Sequence, residues 1–151
     1  MTILGNDDKS AGTYVAVKYN WDTRKALQAL QERISVPNPV EPSEFHTTVV
    51  YSRKSIAWDP ELKLEVEAKP KGFQCWDTHD KKKCLVLLID CPFLHERWQE
   101  AMDKGATYDF DDYRPHISLS YDIGEDFDAK SIEVPDFPMV ITHEYVKKIN
   151  D

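Results

Sequence analysis

Arg114-Pro115-His116-Ile117-Ser118-Leu119-Ser120-Tyr121 decides how this chain reads. Ile117, Leu119 and Tyr121 alternate with His116, Ser118 and Ser120. That is the period of a strand with one buried face, so the pattern predicts an imidazole and two hydroxyls together on the polar face. Seventy positions earlier, Phe45-His46-Thr47-Thr48-Val49-Val50-Tyr51-Ser52 repeats the arrangement, with a histidine and a hydroxyl two residues apart in a β-branched run. One His-x-Thr says little, since a single strand histidine is usually structural. Two copies, each behind a similar strand-and-helix pattern, point to chemistry. Near neutral pH a neutral imidazole accepts a proton and an imidazolium donates one, which is what phosphodiester cleavage requires.

Composition narrows the classes. A chain of 151 residues, 41% hydrophobic and 30% charged, fits one domain (1–151) with a real core, and residues 1–11 read as a flexible tail. No apolar run approaches membrane-spanning length; residues 84–89 are the longest and are strand-sized, so the chain reads as cytosolic and as having no membrane partner. Cys75, Cys84 and Cys91 match neither a disulfide framework nor zinc spacing, and read as free thiols. The net charge of −8 argues against long nucleic acid as partner, and the run Lys81-Lys82-Lys83 reads as a solvated turn. A small ligand in a local cleft fits better.

In chain order, residues 12–19 read as a strand. Asp22-Thr23 caps a helix that turns Ala26, Leu27, Leu30 and Ile34 inward and ends near Ser35. Pro37, Pro39 and Pro42 make a stiff connector to the first histidine strand. Residues 62–68 alternate apolar and charged and pair, as a hairpin, with residues 73–77 across a turn at 69–72. A central apolar strand at 83–90 follows, then a helix opened by Pro92 and ended near Gly105. The tail repeats the hairpin, with 131–134 against 139–146. Laid over itself at an offset of about seventy, the chain matches strand to strand, helix to helix and hairpin to hairpin. The expected fold is therefore α+β and bilobal, two pseudo-symmetric antiparallel sheets with helices outside and the histidine strands at a central cleft.

The pair His46-Thr47-Thr48 and His116-Ile117-Ser118, on a duplicated strand-helix-strand pattern, resembles the two-histidine phosphoesterases from Tyr14 to Val146. Within that superfamily the short chain, Gly12-Thr13-Tyr14-Val15-Ala16-Val17-Lys18 and Phe45-His46-Thr47-Thr48 resemble the phage anti-CBASS cyclic-oligonucleotide phosphodiesterases, which destroy the cyclic nucleotide signal of a bacterial antiviral system. The resemblance implies cleavage of 3′–5′ bonds in a cyclic di- or trinucleotide, in the host cytoplasm, with no metal and no other cofactor. His46 and His116 would share the proton transfers, in an order the sequence leaves open. Thr48 and Ser118 would donate to the nonbridging oxygens.

Substrate contacts are the weaker part of the reading. Tyr14 and Trp76 could stack bases, with core packing as the alternative. Glu144, taken as the counterpart of the Gln74 region, could accept from a base edge as the resemblance implies, with an exposed glutamate as the alternative. Lys18, Arg24 and Arg114 could neutralise a second phosphate, and nothing in the sequence singles one out. Rival functions are another two-histidine reaction (on 2′,3′-cyclic phosphate, RNA ends or 2′,5′-oligoadenylate), nucleotide sequestration without cleavage, and a structural role for both histidines. The oligomeric state is not legible.

Overall fold

Six strands and two helices make up residues 11–149, the part of the chain that this computed structural model describes. The expected tail falls outside the described residues except at Ala11, which is buried. Strand β1 (Gly12–Tyr19) forms where Tyr14, Val15, Val17 and Tyr19 supply aromatic and β-branched side chains. Glycine is needed at its start, because a Cβ on Gly12 would collide with the Ser52 carbonyl. Asn20 caps helix α1 (Trp21–Arg33), its side chain accepting from the Thr23 amide at 2.8 Å. The cap thus lies upstream of the expected Asp22-Thr23, and the Thr23 hydroxyl instead accepts the Val140 amide. A 3-10 turn at Pro42–Glu44 ends the proline connector and leads into β2 (His46–Ser52). Then come β3 (Val66–Asp77), β4 (Lys83–Asp90), α2 (Pro92–Asp103), β5 (His116–Ser120) and β6 (Met139–Ile149).

The strands form one antiparallel sheet in the order β2-β1-β6-β3-β4-β5, curled until its two edge strands, β2 and β5, meet. The Tyr113 hydroxyl closes the seam by donating to the Thr48 carbonyl at 2.8 Å, and Pro39 bridges to Ser120. Strands β2-β1-β6 make lobe one and β3-β4-β5 lobe two. Each helix reaches into the other lobe. Gln31 of α1 donates to the Leu119 carbonyl of β5, and Arg97 of α2 pairs with Glu144 of β6. Between them lies an apolar core that includes Val15, Val17, Leu27, Phe45, Leu85, Leu87, Leu94, Ile117 and Ile141.

Neither expected hairpin is present among the described residues. The proposed turn at 69–72 lies inside the single strand β3, whose first residues, Val66 to Ala68, pair with β6 before the strand passes to β4. Pro70 is tolerated because the ladder slips between Pro70 and Gly72, a bulge where a missing amide costs least. In the tail, residues 132–138 carry no strand, and β6 pairs with β1 and β3. Local alternation revealed the strands and not their partners.

The internal repeat holds at the level of register. Val15 opposes Val50 as Leu85 opposes Ser120, and Ala16 opposes Thr48 as Val86 opposes Ser118, with a bulge at Val49 in one lobe and at Leu119 in the other. The outer ladders also slip at equivalent places, beside Thr142 in β6 and Lys71 in β3.

Candidate active site

The paired bulges place the site. An extra residue in one strand increases its twist and re-aims the side chains around it. Ahead of the bulges, His46 and Thr48 on β2, and His116 and Ser118 on β5, stand half-buried at the seam where the two strands meet. Beyond the second bulge the alternation inverts. Ser120, expected on the polar face, is fully buried and donates to the Pro37 carbonyl, whereas Tyr121, expected in the core, is 53% exposed. The carbonyls beside the bulges keep partners, Thr48 through Tyr113 and Leu119 through Gln31.

Both imidazoles are held the same way. His46 Nδ1 lies 2.8 Å from the Glu44 carbonyl and His116 Nδ1 lies 3.0 Å from the Arg114 carbonyl. A carbonyl only accepts, so each Nδ1 carries the hydrogen and each Nε2 is left for proton transfer. Burial pushes His116 below the ordinary imidazole value, and the His46 and Arg114 charges push the same way against the Arg114 carbonyl.

The two hydroxyls are held differently. The Tyr14 hydroxyl lies 2.9 Å from Thr48 Oγ1, whereas the equivalent neighbour of Ser118 is the Cys84 thiol, 3.6 Å from its Oγ. Tyr14 also packs its ring near Tyr51 and Tyr145, both with centroids 6.1 Å away, so it serves as a strut for Thr48. Trp76 stands edge-on to His116 with centroids 4.6 Å apart. Its Nε1 donates to Gln74 Oε1 at 2.7 Å, and the Arg114 guanidinium lies 4.9 Å from its ring centre. Trp76, Tyr108, Phe110, Arg114 and His116, with the carboxylates of Asp77 and Asp112, line a cleft of about 310 Å³ beside the second histidine. A larger hollow of about 720 Å³, walled by Arg33, Phe127 and Phe137, contains none of these residues.

Glu144 is not brought to the histidines. It opposes Val17, on the core face, and its side chain is fully buried. Arg97 donates to it at 2.7 and 2.6 Å, and Trp58 Nε1 and the Glu61 amide at 3.2 and 2.9 Å. Register explains the misplacement. Ala16 opposes Tyr145 as Val86 opposes Gln74, so the counterpart of Gln74 is Tyr145, and a slip of one residue sends a side chain to the other face. Sequence reading also passed over Tyr108, Phe110 and Tyr145; the i, i+2 pair Tyr145 and Lys147 was the available signal. No group of three or more histidine, cysteine or carboxylate side chains suited to a metal occurs among the described residues.

A family model described as Anti-CBASS protein Acb1 matches residues 11–151. Relatives bearing that description include one from Salmonella phage S16, 38% identical over 145 residues that cover 95% of this chain and 93% of the relative. Another, from Enterobacteria phage T4, is 38% identical over 138 residues covering 91% and 88%. Among solved structures, E. coli LigT complexed with 3′-AMP superposes with a TM-score of 0.54 at 14% identity, covering 91% of this chain and 87% of the other. A structure described as a phosphoesterase gives a TM-score of 0.53 at 16% identity, covering 93% and 88%. At such identities the likeness is one of fold.

Proposed function

The chain belongs to the anti-CBASS Acb1 family and is a phosphodiesterase of two-histidine phosphoesterase fold, and from that premise we propose that it cuts a 3′–5′ bond of a cyclic di- or trinucleotide without a metal. The observation that carries this reading is the matched pair of imidazoles, each anchored at Nδ1 with Nε2 free, each beside a hydroxyl, on two strands that meet. His116, whose charged form burial disfavours, takes the proton of the ribose 2′-hydroxyl as O2′ bonds to phosphorus. His46, protonated, gives its proton to the departing 5′-oxygen as the P–O5′ bond breaks. Thr48 and Ser118 donate to the nonbridging oxygens, where each donor can contribute several kcal/mol in a site from which water is excluded, about 3 to 4 in comparable cases. The first product is a linear oligonucleotide with a 2′,3′-cyclic phosphate and a free 5′-hydroxyl. Water then opens the cyclic phosphate with the histidine roles reversed. In a phage-infected cell, removal of the cyclic signal in the host cytoplasm would silence the antiviral response.

The test is incubation with cyclic di- and trinucleotides, 2′,3′-cyclic mononucleotides and 2′,5′-oligoadenylate in EDTA, read by mass spectrometry. Cleavage of the cyclic oligonucleotides with the product described supports the reading. Activity that vanished in EDTA and returned with magnesium or manganese would overturn the side-chain mechanism. Equally fast cleavage of a 2′-deoxy analogue would show that water, and not the neighbouring hydroxyl, attacks phosphorus.

A further inference from the structure

The floor of lobe one holds two cations that proton transfer does not use. In the ladders, Lys18 stands opposite both His46 and His143, Ala16 opposite Thr48 and Tyr145, and Tyr14 opposite Lys147. Side chains opposed in a ladder share a face, so Lys18, Tyr145 and Lys147 lie on the face that carries His46 and Thr48. Both ammonium groups approach the same ring: Lys18 Nζ is 5.5 Å and Lys147 Nζ 5.7 Å from the Tyr145 centroid, with Lys147 also 5.8 Å from that of Tyr14. Among the described residues neither is in an ion pair, and the polar contact of Lys18 is the Ser43 carbonyl at 3.2 Å. Burial, then Lys147 and Arg24, push the Lys18 ammonium down, against the pull of Glu44.

Two like charges gathered at one ring repel, and the chain around them carries a net charge of −8. An anion within reach of both ammonium groups offsets that repulsion. The repeat shows that the cations are not part of the shared machinery. The lobe-two counterparts of Lys18, Tyr145 and Lys147 are Leu88, Gln74 and Trp76, none of them charged. The phosphate that reacts would lie at the seam between His46 and His116, whereas Lys18 and Lys147 belong to lobe one alone; the cleft cation of lobe two, Arg114, comes from the loop ahead of β5 and stands over Trp76.

We propose that Lys18 and Lys147, both beside the Tyr145 ring, bind a second phosphodiester of the substrate, one that is not cut. This rests on the phosphodiesterase reading above and sharpens its substrate class. A ring of two or three nucleotides presents such a group, and a 2′,3′-cyclic mononucleotide does not. The aromatic ring sets the spacing of the two ammonium groups and offers a surface for the adjoining sugar or base.

The test removes the same contact from each side. One arm replaces both lysines, Lys18→Gln with Lys147→Gln; the other replaces the uncut phosphodiester of a cyclic dinucleotide by a neutral methylphosphonate. Each change alone is expected to lower kcat/KM at least about tenfold, mainly through KM, and the two together little more than one, because partners in a single contact do not add. The Lys147→Arg variant should keep most of the wild-type value. Losses that multiply, or a lysine variant whose kcat falls with KM unchanged, would overturn the second-phosphate site. The same combinations measured by equilibrium binding, with 2′-deoxy rings that lack the nucleophile, test the lysines even if no substrate is cut. Absent turnover with coupled binding losses would sink the cleavage reading and leave the site standing.

Discussion

The two lobes share a plan and differ in their floors. Lobe one presents Lys18, Ala16 and Tyr14 on β1 beside His143, Tyr145 and Lys147 on β6, whereas lobe two presents Leu88, Val86 and Cys84 on β4 beside Gly72, Gln74 and Trp76 on β3. The edge strands differ little: a histidine, a hydroxyl two residues on and a bulge, with a tyrosine following in β2 and just past the end of β5. The two lobes match at the residues proposed to serve the reacting phosphate and differ elsewhere.

Behind the floors the lobes also differ, and the largest expected effect lies there. Glu144 is buried against Arg97, while its lobe-two counterpart by register is Phe73, packed against the apolar core. Glu144→Ala would leave the guanidinium only Glu100 and the Asp59 carbonyl, and breaking one side of a buried pair typically costs up to about 3 to 5 kcal/mol. Denaturant unfolding should show it. A Glu144→Ala protein of unchanged stability but altered base preference would instead return this residue to the substrate.

The shared parts predict symmetry. His46→Ala and His116→Ala should each lower kcat by roughly 100-fold or more with little change in Tm, since each removes a proton-transfer group from a polar face. Thr48→Val and Ser118→Ala should each cost on the order of a hundredfold. Full activity in any one of these variants would remove that residue from the reaction. The struts then predict asymmetry. Tyr14→Phe releases Thr48 from a 2.9 Å hydrogen bond and should lower kcat several-fold, while Cys84→Ala, which removes only a weak 3.6 Å thiol contact, should change it less than about twofold. A Cys84→Ala loss equal to that of Tyr14→Phe would show that the two hydroxyls are positioned alike after all.

What the sequence disclosed follows from the range of the forces involved. His46, Thr48, His116 and Ser118 were legible because a strand exposes alternate residues and the motif occurs twice, so the seventy-residue offset carried the bilobal plan with it. Both hairpins were misread because β3 and β6 take their partners from far along the chain, and alternation does not say with whom a strand pairs. Ser120 and Tyr121 changed places because a bulge adds one residue, and a bulge has no composition of its own. The seventy-residue offset carries Gln74 to Glu144, one residue short of its counterpart by register, Tyr145. The cations of lobe one became legible only in the ladder, where Lys18 and Lys147, distant in sequence, stand at one ring.

The smallest expected effect separates the two histidines by pH. His116 holds its proton less tightly than a free imidazole, whose ordinary value is 6.5, because burial and the nearby positive charges disfavour the charged form. As the base it must be neutral, so kcat/KM should fall on the acid side only as the pH passes below about 6.5. Stability follows the same sign. Above the unfolded value neither state binds this proton. As the pH drops through that value the unfolded chain takes it more readily than the folded one, so the folded state loses stability until the depressed folded value is passed. Denaturant unfolding at about pH 7.5 and about pH 5.5 should therefore show an acid loss in the wild type that is smaller in His116→Asn. His46→Asn should leave the stability loss from His116 largely in place, reduced only by the part that the His46 charge contributes. If instead the acid limb lay above the ordinary value and moved with His46→Asn, the roles of base and acid would have to be exchanged between the lobes.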